Sequence, residues 1–498
     1  MSSSKMCTTR LGGWWIVPLL SAVSLAATSS DLRLIEAAKN EDTVAVRALL
    51  KQGVDVSAVW GDGATALHWA AHWDNQEIAD LLIRAGANVN AANDLGITPL
   101  WLAGTNGSTP LIATLLKAGA DPNLVPSTGG TPLMLVSRRG NAEATNLLLA
   151  HAANVNAKES SHGQTALMWA VAQQRTEVVR VLLRHGADVR ARSNTWRQVA
   201  VICCPAFNGD ADGIVEVDQG GFTPLLFAAR YGDLDSARLL LEAGASVDDT
   251  APAGSTALVV AAHSGHGSLA AFLLDEGADP NADGAGYTAL HAAVLRGDLD
   301  LAKALLLRGA DPNARLANGT PARRSAGDFA FHKSLVGATA FLLAATFLEV
   351  DIMHVLAATG ADTLATLPNG TTPLLAAAQA DGVRGRARIK GATGQLDQLT
   401  LEAVKLAIDL GSDVTATNQA GDTALHIAAA KKVNAVIQLL ADRGANLDVK
   451  NKNGRTPLAM ATMARELPKG AFDIGAVPIA AGGRNSTADL LRQLGATQ

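Results

Sequence analysis

Trp60–Ala92 reads WGDGATALHWAAHWDNQEIADLLIRAGANVNAA, and the order of its residue types decides the fold. Gly63 stands where a tight turn needs a positive φ, which a residue without Cβ adopts freely. Thr65 follows, with a hydroxyl able to accept from an unpaired N–H of a first helical turn. Leu67, Ala70 and Ala71 recur at helical spacing and are small enough, in the alanines, for close packing. Ile78, Leu81 and Leu82 give a second apolar face of the same period, and Gly86 stops that helix. The remainder is short and polar and leads into the next turn.

The same landmarks return along the chain. Thr65, Thr98, Thr131, Thr165, Thr223, Thr256, Thr288, Thr339, Thr372, Thr423 and Thr456 each have Gly two positions earlier. Pro99, Pro132, Pro224, Pro373 and Pro457 follow the threonine, at a first helical position where a missing N–H costs nothing. One such unit cannot cover its own apolar face, so the sequence requires an array.

On these residues the chain resembles the ankyrin repeat, whose signature is the same Thr-Pro-Leu-His-x-Ala run at a 33-residue period. The resemblance runs from Asp31 to the end. It implies an α-solenoid of stacked ankyrin-like helix-turn-helix repeats with β-hairpin loops, about twelve units including caps. Two departures stand out. Ala152 replaces a stop glycine, and the signature histidine occurs only at His68, His291 and His426, where a structural hydrogen bond is expected.

The organisation follows from the spacing. Residues 1–26 read as a signal peptide and 27–60 as an N-terminal capping repeat. Repeats fill 61–193, an insertion takes 194–218, and repeats resume over 219–316. A second insertion covers 317–335, followed by repeats over 336–451 with an insertion near 380–398. Residues 452–498 form a C-terminal capping repeat with a fourth insertion. The first two insertions fall on the hairpin side, the last two between the helices of a unit. In the leader, Lys5 and Arg10 precede an uncharged run, and Ser24 and Ala26 are small enough for cleavage after Ala26. That predicts export, to a periplasm or the outside; an uncleaved anchor is the alternative. The apolar run Leu335–Ala358 keeps repeat register and carries Glu349 and Asp351, so it reads as core helices and not as a membrane span.

Net charge is −5, too mild to point to nucleic acid or a membrane surface. The chain has no HExxH, GxSxG, CxxC or phosphate-cradling glycine loop, so no catalytic residue and no cofactor are expected. Cys203 and Cys204 offer a vicinal disulfide, an interchain bond, or simply two thiols in a loop. Asn208, Asp210, Asp212 and Gly213 imitate the start of a calcium loop, but Gln219 stands where a bidentate Glu is needed. An acidic surface loop is the better reading, with no metal. Arg384, Arg386, Arg388 and Lys390 read as solvated loop charges.

The aromatics are more telling. Trp60, Trp69, Trp73, Trp101, Trp169 and Trp196 all lie in the N-terminal half. The resemblance implies that the two positions after each Ala-Ala pair lie on an inner, concave face. His72, Trp73, Asn106, Arg138, Arg139, Gln174, Arg230 and Tyr231 are therefore the expected partner-binding residues. Trp69 and Trp169, one position before the pair, are expected between repeats. The resulting expectation is a monomeric, non-catalytic scaffold that binds a protein. An envelope spacer is the alternative, and an enzyme or metal-binding protein using the insertions stands further back.

Overall fold

Every regular unit opens with the same cap. Thr98 Oγ accepts from the Trp101 N–H at 3.2 Å, and Thr131 Oγ from the Met134 N–H at 3.2 Å. This satisfies a donor that the first turn leaves unpaired. The prolines at 99, 132, 224 and 373 sit at the start of their helices, as the missing N–H allows. The first helix then runs six to eight residues. It ends in a left-handed residue, Gly107 at φ 73° or Gly140 at φ 87°. A second helix follows, nine residues long in most units. In several units its cap is a side chain such as Asn75, whose Oδ1 accepts from the Ile78 N–H at 3.1 Å.

The computed structural model describes residues 32–127, 129–201, 214–320, 331–380, 393–462 and 486–497. Among them are twelve helix pairs. The chain is therefore an α-solenoid of ankyrin-type units. The reading of residues 1–26 as a signal peptide lies outside the described residues. Two compact bodies are formed, Met1–Ala191 and Arg192–Gln498. The first holds the pairs from Leu32–Lys39 to Thr176–Arg184, the second those from Pro224–Tyr231 to Ser486–Gln493. Leu67, Ala70, Ala71, Ile78 and Leu82 are all within 1% of full burial. Each buried leucine or isoleucine contributes about 1.5–3 kcal/mol.

Two polar ladders tie one unit to the next. Asn90 Nδ2 donates to the carbonyl of the helix-stop Gly119 at 3.0 Å, while its Oδ1 accepts from the Asp121 N–H at 2.7 Å. Asn123, Asn156, Asn281 and Asn313 repeat both bonds on the units that follow them. The second ladder is histidine. His68 Nδ1 accepts from the Thr65 N–H at 3.1 Å, which leaves the proton on Nε2 to donate to the Ile97 carbonyl at 2.9 Å. His291 and His426 do the same toward Ala314 and Arg455. Trp101 occupies the histidine position of its own unit. Its indole N–H donates to the Gly130 carbonyl at 2.8 Å, the same reach made with a different ring.

The insertions take three forms. Thr195–Val201 (β1) and Ile214–Gly220 (β2) pair antiparallel, with Thr195 opposite Gly220 and Val201 opposite Ile214. Within the segment expected as an insertion over 194–218, the described residues thus form a two-stranded antiparallel ribbon that runs on to Gly220. Trp196 lies across Gly220, where a Cβ would come within 2.7 Å of the indole. In the second insertion, Thr320 and Phe331 bond to each other through both main-chain N–H groups, at 3.0 and 2.7 Å. Phe331 is fully buried, so this segment is not purely surface decoration. Phe329 lies outside the described residues. In the third, residues from Thr393 onward join the second helix, Thr393–Asp409, which reaches 17 residues. Leu335–Ala358 resolves into two short helices, Ala340–Phe347 and Val350–Ala358. No helix among the described residues is long and apolar enough to cross a membrane.

Ala152 sits at φ 63°, in the place where other units have a left-handed glycine. Those glycines, Gly86, Gly119 and Gly186 among them, have open space at the Cβ direction, so what selects them is backbone conformation. An L-residue there carries about 1–2 kcal/mol of strain, offset in part by glycine's larger unfolded-state entropy. Ala152→Gly is expected to stabilise the first body by about 0.5–1 kcal/mol. A urea midpoint that falls instead would overturn this account.

Candidate functional site

In several units the first helix ends in two residues that its apolar face does not claim, whereas Leu295 and Phe347 at the same positions are buried. In the first body these ends carry Lys39, His72 and Trp73, Asn106, Arg138 and Arg139, and Gln173 and Gln174. In the second body the corresponding residues of the first pair are Arg230 and Tyr231.

Trp73 is 47% exposed, although it is one of the largest apolar side chains of the protein. His72 is half-buried and meets Trp69 and Trp73 edge-on, at centroid distances of 5.8 and 4.6 Å. Loss of hydration holds the His72 imidazole below its ordinary pKa. Behind this pair, the Lys39 ammonium lies 5.2 Å from the Trp60 ring and 5.1 Å from the Trp69 ring. The sequence reading missed Lys39. It follows Ala37-Ala38 as His72 follows Ala70-Ala71, so the same rule applied to the capping unit finds it.

Asn106 is exposed, yet its amide is engaged. Nδ2 donates to the Ala71 and His72 carbonyls at 2.9 Å each, closing the end of the preceding first helix. This is a recurrent device. Arg175 Nε donates to the Arg138 carbonyl at 3.4 Å, His266 Nε2 to the Arg230 carbonyl at 3.2 Å, and Arg296 Nε to the His263 carbonyl at 2.7 Å. Lys431 donates to the Gln379 and Ala380 carbonyls. Part of this row therefore holds units together as well as facing solvent.

Arg138 and Arg139 are exposed. The Arg138 guanidinium stands 5.6 Å from the Trp169 ring, which is itself half-buried, while Trp69 is buried at 5% exposure. The two inter-repeat tryptophans thus pack as their position implies. Gln174 takes the left-handed turn at φ 56°, where other units place glycine. In the second body Tyr231 is 42% exposed and stacks on Phe227 at 6.4 Å with an interplanar angle of 5°. Arg230 lies 5.8 Å from Phe222 and 6.0 Å from Tyr231.

The histidines at 68, 291 and 426 have both ring nitrogens bonded to their own fold. Among the described residues no three His, Cys, Asp or Glu side chains gather as metal ligands. Cys203, Cys204, Asn208, Asp210, Asp212, Arg384, Arg386, Arg388 and Lys390 lie outside the described residues. The later positions of the calcium-like run, Ile214 to Gln219, belong to the strand Ile214–Gly220.

The model of ankyrin repeats (3 copies) matches residues 34–126, 103–193, 225–315 and 396–469, together well over half of the chain. No curated protein matches. Among solved structures, the chain is similar to the human ASB11 ankyrin repeat domain. Identity there is 26%, over 56% of this chain and 98% of that one, with a TM-score of 0.38. Ankyrin repeats are in general protein-interaction modules, and typically scaffolds without catalysis. Capped, glycine-stopped helix pairs and a repeating Thr-to-Thr period, with the family match across both bodies, place this chain in the ankyrin repeat family.

Proposed function

We propose that the protein is a monomeric interaction scaffold whose first-helix ends hold a protein partner. The observation that supports this most is the exposure, at first-helix ends, of Trp73 at 47% in the first body, which also carries Arg138 and Arg139 at such ends, and of Tyr231 at 42% next to Arg230 in the second. Large aromatics that stay in solvent are not serving a core, and Trp, Tyr and Arg supply most interface hot spots. Among the described residues, the second-helix row contributes isolated exposed apolar residues, Val44 and Leu307.

The test is affinity capture with the mature chain and with the Trp73→Ala, Tyr231→Ala double variant. The expected result is a defined partner enriched by the first and reduced at least tenfold by the second, with the far-ultraviolet spectrum unchanged. A partner retained equally by both proteins would remove this face from consideration. Each truncation is expected to weaken binding by about 1–2 kcal/mol.

We further propose that the protein is exported to a periplasm or secreted, on the strength of Lys5, Arg10 and the uncharged run Leu11–Ala27. N-terminal sequencing of the cell-envelope or secreted fraction is expected to start at Ala27. Recovery of the chain only in the cytosol with Met1 intact would overturn the proposal.

A further inference from the structure

Three arginines of the first body are held in place without an acid to face. Arg138, Arg139 and Arg175 are all exposed. Some arginines elsewhere pair with carboxylates, as Arg47 with Glu77, Arg180 with Glu177, Arg308 with Asp275 and Arg443 with Asp409. Among the described residues no ion pair involves Arg138, Arg139 or Arg175.

Each of the three has its stem fixed by the fold. Arg138 stacks on Trp169 at 5.6 Å. Arg139 runs over Gly107, where an added Cβ would sit 3.0 Å from its Cδ. Arg175 runs over Gly140, with an added Cβ 2.8 Å from its Cδ, and its Nε donates to the Arg138 carbonyl at 3.4 Å. The left-handed glycines thus make room for the arginine stems. Fixing the stems beforehand removes much of the entropy cost of using their charged ends. Guanidinium groups present paired N–H donors that match a carboxylate, and several in a row match several carboxylates.

We infer that Arg138, Arg139 and Arg175, with the half-buried face of Trp169, form a docking site for an acidic peptide segment of the partner. The inference rests on the scaffold reading above and names the chemistry of what is held. Charge complementarity supplies the occupant: three unpaired cations stand together on consecutive units of a chain whose net charge is −5. Nucleic acid is disfavoured by the same count, since polyanion binding needs many more cations in a field that is not negative overall. The acids nearest in sequence, Glu143 and Glu177, stand in the first turns of the second helices of the same two units, and Glu177 pairs with Arg180. A competing account is that the arginines only complement the carboxyl ends of the helices.

The test uses the full chain and fluorescein-labelled octaglutamate, with octaglutamine and poly-uridylate RNA as comparison probes. Octaglutamate is expected to bind, more weakly as salt rises, and octaglutamine not to bind. Arg138→Gln, Arg139→Gln and Arg175→Gln together are expected to reduce octaglutamate affinity at least about tenfold, as charged hydrogen bonds are lost. Arg139→Gln alone, on an exposed side chain, is expected to give a partial loss if the triple variant folds poorly. Arg184→Gln with Arg190→Gln removes charge elsewhere on the same body and is expected to change affinity less than twofold. Equal loss in that control, equal binding of octaglutamine, or no loss in the arginine variants would overturn the inference. Tighter binding of the RNA, lost in the same variants, would overturn it in favour of a nucleic acid. The two proposals separate cleanly. Partner capture that depends on Trp73 but not on the arginines defeats this inference alone. Octaglutamate binding with no capture defeats the scaffold reading alone.

Discussion

Phe331→Ala is expected to destabilise the second body by about 3–5 kcal/mol, the range for deleting a fully buried aromatic. Phe331 has no solvent exposure and is among the largest fully buried side chains of the protein. Its ring lies 5.3 Å from Tyr287 and 6.4 Å from His291, the latter edge-on. These aromatic contacts add to the area term, by about 0.5–1.5 kcal/mol for a well-placed pair. Alanine would leave a cavity beside the Thr288 cap, where His291 accepts from the Thr288 N–H at 3.1 Å. The segment's own closure, Thr320 to Phe331, would lose its anchor. Hydrogen exchange across Ala289–Arg296 should speed up, because that helix carries His291. Lys333→Ala, on an exposed turn two residues away, is expected to stay within about 0.5 kcal/mol of the parent. Equal effects of the two substitutions would show that Phe331 is not part of this core.

That residue also marks where sequence reading stops. The unit was legible because its signals are local: a cap, a spacing of four, a stop, all within one period. Leu67, Ala70 and Ala71 announced a buried face, and each is buried within 1% of completeness. The first-helix ends were legible as positions from the repeat register, and Trp73 and Tyr231 there are exposed. What each residue does there was not. Asn106 reads as a polar surface residue, but both its amide bonds close on carbonyls 34 and 35 positions back. Trp101 reads as one of eight tryptophans, but it stands in for a histidine by donating 29 residues ahead.

The insertions were legible as surplus length only. They have no period, so nothing in their spacing states what they pair with. The ribbon Thr195–Val201 with Ile214–Gly220 depends on closure across a loop, a non-local choice. The 17-residue helix Thr393–Asp409 is the opposite case. Its start has i to i+4 partners, Gln398 donating to Glu402 at 3.1 Å, which helical spacing could have disclosed.

Acidification from pH 6.5 to 4 is expected to remove about 3 kcal/mol of stability through His291 alone. The ring is buried at 1% exposure, and loss of hydration drives its pKa down to about 4 despite the Ala314 carbonyl that favours the cation. The geometry explains why charge is refused. Nδ1 already accepts from the Thr288 N–H at 3.1 Å, so a second proton there would face a donor. The unfolded chain, with an ordinary histidine pKa near 6.5, binds that proton first. The His291 contribution is therefore fully present only well above the unfolded pKa of about 6.5, is lost as pH falls toward the folded value of about 4, and levels off below that value. His68, its pKa also lowered chiefly by burial, adds a loss of the same sign in the first body. Urea unfolding at pH 7.5 and 5.0 measures the effect. By pH 5.0 about 2 kcal/mol of the His291 contribution should be gone. His291→Leu is expected to be less stable at pH 7.5, because Thr288 and Ala314 lose their partner, yet to show a shallower pH dependence. The same slope in parent and variant between pH 6.5 and 4 would mean that His291 does not carry the acid sensitivity, and that carboxylates do.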